Sequence, residues 1–188
     1  MKVRLAAIAL GLAALAAPIF AQDASPLNIP PQLEKQLAAS ATNVTEVTLG
    51  KNMLNFAAKF MNGKNKDDAA AQQLIQNLQG IYVRDYEFDK PGQYSMEDAE
   101  QIRKSFAGPE WSTVVSDREK KSGETTYVMI KIVNGQNQGM FVFDAEPREL
   151  SLVLILGPIK MDQLGELKGL GGLSALGNVN ATTKTKTK

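Results

Sequence analysis

Asp85, Glu87 and Asp89 alternate along the stretch IYVRDYEFD, residues 81–89. On a strand that spacing puts all three carboxylates on one side, successive ones about 7 Å apart. Oxygens so placed could chelate a hard cation such as calcium, or supply the acid and base of a glycosidase. The Asp-x-Asp-x-Asp-Gly pattern of a calcium loop is absent, however. A solvated acidic stripe that keeps an edge strand from aggregating explains the same spacing with less. Tyr82, Arg84, Tyr86 and Phe88 take the opposite side of this strand. Aromatics beside an arginine can stack sugars or single-stranded nucleic acid. They equally suit a helix-covered core face from which Arg84 snorkels outward. No basic patch accompanies them, so the core reading is preferred. Trp111, the sole tryptophan, follows Gly108-Pro109 and reads as a core anchor.

Other reactive groups are scarce. The 188 residues include no histidine and no cysteine. That excludes a Ser-His-Asp triad, a Cys-His dyad, a disulfide and a zinc site built on His or Cys. Gly169-Leu170-Gly171-Gly172 lacks the Gly-Lys-Ser/Thr ending of a phosphate loop and follows no strand. With 21 basic against 20 acidic residues the chain has no electrostatic case for nucleic acid. No cofactor and no metal ligand set is expected.

The two ends are compositionally distinct. Lys2 and Arg4 precede an apolar run, Leu5 to Ala17; Pro18 breaks it and Ala21 completes a small-residue cleavage site. The run is shorter than the about 20 residues that span a bilayer, so an export signal removed before Gln22 is expected rather than an anchor. Losing Lys2 and Arg4 leaves 19 basic against 20 acidic residues. At the other end Lys184, Lys186 and Lys188 alternate with threonine; without them 16 basic residues face 20 acidic ones, a mildly acidic body with a basic tail. Those three lysines are the candidate surface for an anionic envelope. Before them Leu164, Leu167, Leu170, Leu173 and Leu176 recur every third residue among glycines, a pattern too glycine-rich for a stable helix. Its first leucines are expected to dock on the sheet.

Between the ends, periodicity marks the elements that must position these groups. Gln22–Pro31 reads as a linker, and Gln32–Ser40 as a short helix with Leu33 and Leu37 one turn apart. Val44–Leu49 reads as a strand. Asn52–Met61 reads as a helix whose stripe is Met53, Leu54, Phe56, Ala57, Phe60 and Met61, stopped by Asn62-Gly63. Asp67 or Asp68 caps the next helix, whose apolar positions are Ala71, Leu74, Ile75 and Leu78. After the strand at 81–89, Ser95 and Asp98 form a capping box for a helix with Ala99, Ile102 and Phe106 inward.

From Trp111 the period becomes two. Strands are expected over Trp111–Ser116, Thr125–Val133 and Leu150–Leu156, with Asn134-Gly135 as a hairpin turn. A two-residue turn pairs Val133 with Gln136, Ile130 with Gly139 and Val128 with Phe141. Val128, Ile130, Ile132, Phe141 and Phe143 then share one face, leaving Tyr127, Lys131 and Gln138 on the other. The class is α+β: an antiparallel sheet of five to six strands with two to three helices on one face. One domain is expected over residues 32–168, with 1–21 as signal peptide and 169–188 as a flexible tail.

The step Gly80-Ile81-Tyr82-Val83 after an amphipathic helix, the run of hairpins, and the Leu-rich last strand before Gly157-Pro158 resemble the small exported bacterial proteins grouped as domain of unknown function 4252. The likeness covers about Val44 to Leu167. It implies an α+β fold and a Gram-negative envelope location with a link to envelope stress, and it carries no activity or site residues. Many members resemble lipoproteins, from which this cysteine-free chain departs. The expectation is an exported, periplasmic or extracellular, non-enzymatic binding module, its partner an envelope protein or an anionic envelope surface. A carboxylate-dependent hydrolase and a self-assembling structural subunit are the alternatives.

Overall fold

The computed structural model describes residues 25–60 and 66–159. The export signal, the Asn62-Gly63 stop, the leucine repeat and Lys184, Lys186 and Lys188 lie outside the described residues.

In chain order the elements are α1 (Pro31–Ser40), β1 (Asn43–Gly50), α2 (Lys51–Phe60), α3 (Lys66–Asn77), β2 (Gly80–Glu87), α4 (Met96–Lys104), β3 (Trp111–Glu119), β4 (Glu124–Val133), β5 (Gln136–Glu146) and β6 (Glu149–Leu156). The six strands form one sheet in the order β1-β2-β6-β5-β4-β3, antiparallel at every step. The fold is α+β, as the switch from helical to alternating periodicity indicates.

The helices do not share one face, as expected from the sequence; they divide between both. Leu33 and Leu37 of α1 and Ala99 and Ile102 of α4 pack on Tyr86, Tyr127, Phe141, Phe143 and Leu152. Leu54 and Ala58 of α2 and Leu74 and Ile75 of α3 pack on Val83, Val128, Val142 and Val153, from the other side. The reason is visible in β5 and β6, which are apolar at consecutive positions and so need cover on both faces. Leu27 and Ile29, from the stretch read as a linker, are buried in the α1/α4 cluster.

Local signals explain where elements start and turn. Ser95 Oγ accepts from the Asp98 amide at 3.1 Å, and Asp98 Oδ2 accepts from the Ser95 amide at 3.1 Å, completing the capping box. Asn134 and Gly135 have φ of 52° and 74°, the pair of positive values that a tight hairpin turn demands. The register beyond that turn differs from expectation. Val133 pairs with Gln136, but a bulge at Gln138 shifts the rest, so Lys131 pairs with Gly139, Ile130 with Met140 and Val128 with Val142. Phe141 and Phe143 therefore join Tyr127 on the α1/α4 face, while Val128 faces α2 and α3. The expected grouping of Val128 with both phenylalanines is overturned by that one inserted residue.

Helix α2 also departs from its stripe. Leu54 and Ala58 turn inward, whereas Met53, Phe56 and Phe60 remain exposed.

Candidate functional site

On the α2/α3 face the apolar layer stops at Val83, Val153, Val142 and Val128, and the next two positions of each strand on that face are polar or acidic. The pairing aligns them across the sheet. One row runs Thr45, Asp85, Ser151, Asp144, Thr126, Asp117, and the row beyond it Asn43, Glu87, Glu149, Glu146, Glu124, Glu119. Six strands at about 4.8 Å spacing make these rows about 24 Å long. Side chains two apart on a strand share a face, which is why β-alternation collects them at one end.

The carboxylates press on one another. Glu149 stands directly opposite both Glu87 and Glu146. Thr126 donates to Asp144 Oδ1 at 2.9 Å and Asn43 donates to Glu87 Oε1 at 3.3 Å. Among the described residues no lysine or arginine forms an ion pair with either row. Burial holds the Asp144 carboxyl above its ordinary range, eased by Thr126. Burial raises Asp85 too, with Glu87 adding to the shift and Ser151 easing it. Burial and then neighbouring carboxylates, Asp144 above all, raise Glu124 and Glu146. Glu149 is raised by burial and by Asp85, Glu87 and Asp144. Asp85 Oδ1 is enclosed with no hydrogen-bond partner. Tyr94, just before α4, braces this end by donating its hydroxyl to the carbonyls of Glu146 and Glu149.

Glu124, Asp144 and Glu146 bring one oxygen each within 4.8 Å of one another, a geometry that could accept a cation. A cavity of about 400 Å³ occupies the opposite end of the sheet, lined by Gln79, Lys131, Asn134, Gln136 and Gln138, with no carboxylate.

Of the stripe read from the sequence, Asp85 and Glu87 share this face, but Asp89 lies beyond the end of β2 and is exposed. Nor is β2 an edge strand: it pairs with β1 and β6, so its acids protect no open edge. Tyr86 and Phe88 form core under α1 and α4, as read. Arg84 does not snorkel. It is 7% exposed and its Nε lies 3.2 Å from Glu34 and its Nη2 2.8 Å from Glu46. Sequence reasoning missed Asp144, Glu146, Glu149 and Glu124. Alternation of Val142, Asp144 and Glu146 was a usable signal, but joining them to Asp85 required the strand order.

The family described as Domain of unknown function (DUF4252) matches residues 39–167 of the chain. The chain belongs to that family. It matches no curated protein.

Proposed function

We propose, from that membership as premise, that this is an exported envelope protein acting as a non-enzymatic binding module, whose binding face is the pair of carboxylate rows and whose partner presents a basic segment. Export is inferred from Lys2, Arg4, the apolar run and Ala21, and places the protein in the periplasm or outside the cell. The observation that carries the binding face is the uncompensated charge: eight carboxylates in the two rows without ion pairs among the described residues, several held above their ordinary ionisation range. A cationic partner relieves that repulsion, and the force is greatest where the groups are partly desolvated. The length of the rows suits an extended chain with several lysines or arginines better than a single ion. A hydrolase would instead gather two acids in a concave pocket beside a scissile bond.

The test uses the full chain and an immobilised oligolysine peptide at low and high salt. Binding at low salt, lost at high salt and weakened at least tenfold by Glu146→Gln with Glu149→Gln, supports the reading. Undiminished binding by that variant, or none at low salt, refutes it. If calcium binds and the peptide does not, the face is a cation site instead.

A further inference from the structure

Helix α2 turns two apolar sides outward from its axis, and only one has a place in the core. Leu54 and Ala58 are buried, while Met53, Phe56 and Phe60 are 54%, 56% and 69% exposed. Positions i, i+3 and i+7 form one stripe, and the Phe56 and Phe60 rings touch edge to face at 4.7 Å. Covering a methionine or phenylalanine contributes about 1.5–3 kcal/mol, so three together on one helix mark a contact surface. The helix carries Lys51 and Lys59 and no acid.

The chain itself leaves the sheet at the end of α3, on the face of the sheet that α2 covers. The Gly157 amide donates to the Gln138 carbonyl at 2.9 Å, and a Cβ on Gly157 would stand 2.8 Å from Leu78 Cα, just past α3. Ile159, 4% exposed, belongs to the same buried cluster as Leu54 and Ala58. Leu164 follows five residues later, a reach of about 17 Å when extended, more than the about 10–12 Å diameter of a helix. From there the leucines recur at every third position through Leu176.

We propose that the leucine repeat of this same chain, residues 164–176, lies across the outer side of α2 and covers Met53, Phe56 and Phe60. The repeat supplies apolar side chains in number, its glycines let the backbone approach the phenylalanines closely, and the departure point at Ile159 puts it on the correct face. The occupant is thus in cis, and a partner or a bilayer reaches α2 only by displacing it.

The absence of cysteine makes a thiol probe unambiguous. Met53→Cys keeps both phenylalanines, and Val114→Cys on β3, where Val114 is 47% exposed, serves as the open reference. In the full chain at low concentration the Met53→Cys thiol reacts with a maleimide at least tenfold more slowly than the Val114→Cys thiol. Adding Leu164→Ser, Leu167→Ser and Leu170→Ser restores its rate and leaves that of Val114→Cys unchanged. Equal rates in the intact repeat overturn the proposal, as does slow labelling that persists after the serine changes. Protection that appears only as protein concentration rises identifies a second copy as the occupant, and protection that requires anionic vesicles identifies a bilayer; either result also overturns it.

Discussion

Arg84 and Asp85 are neighbours on β2, yet the two faces of the sheet treat their charges in opposite ways. On the α1/α4 face Arg84 sits buried between Glu34 and Glu46. A few strands away Glu100 pairs with Arg103 at 2.7 Å and Arg118 at 3.5 Å, both guanidiniums lying over the Tyr127 ring. Apolar packing continues around these groups, and each of the three guanidiniums has a carboxylate partner. On the α2/α3 face packing ends at Val83 and the charges beyond it are all of one sign. A face built only for stability would match its charges, because a buried ion without a partner costs several kcal/mol. Under the proposed function, the difference separates a structural face from one kept ready for a cation-bearing partner.

The largest effect that sharpens the contrast is expected in the structural core. Phe141 is 0% exposed and stacks on Phe106 with ring centroids 3.8 Å apart. Phe141→Ala removes that contact and leaves a cavity, at a cost of about 3–5 kcal/mol, measurable by denaturant unfolding. A loss below about 1 kcal/mol would break the assignment of Phe141 to the α1/α4 core.

Next in size is the paired charge. Arg84→Met leaves Glu34 and Glu46 facing an apolar stem, and the loss should be about 1–3 kcal/mol, the lower end reflecting the exposure of Glu46. Adding Glu34→Gln and Glu46→Gln should recover most of it. No recovery would mean that the alkyl stem, rather than the ion pairs, carries the stabilisation.

These two faces were unequally legible in the sequence. Strong local signals were enough for the capping box at Ser95, the turn at Asn134-Gly135 and the helix expected over Gln32–Ser40, because each depends on a few adjacent residues. The assignment of faces failed where one residue decided it: the bulge at Gln138 leaves no compositional trace, yet it moves every side chain of β5 beyond it to the other side. The consecutive apolar positions of Leu150–Leu156 held the clue that both faces would be covered. The candidate site was half visible. Asp85 and Glu87 stand out by spacing, while Asp144, Glu146, Glu149 and Glu124 join them only through strand order, a long-range property that periodicity does not encode.

The smallest effect is the dependence on pH, and it bears directly on whether the acid rows are under strain. Asp85, Asp144, Glu124, Glu146 and Glu149 are all raised, chiefly by burial, and all but Asp144 also by neighbouring carboxylates. A carboxyl whose folded value exceeds its unfolded value takes up protons on folding. Its contribution is fully present below the ordinary carboxylate range and is lost as pH rises through the raised folded value. The melting temperature should therefore climb as pH falls from 7 toward 5, opposite to a protein held by salt-bridged acids. Asp144→Asn with Glu146→Gln should flatten that slope, since the asparagine oxygen can still accept from Thr126 while no charge remains to be relieved. Added salt at pH 7 should act in the same direction by screening the exposed members of the rows. The α1/α4 face predicts the reverse response, because screening weakens the pairs around Arg84 and Glu100. A melting temperature that falls steadily from pH 7 to 5 in both proteins would place the dominant electrostatics on that face, and the acid rows would then carry no strain for a partner to relieve.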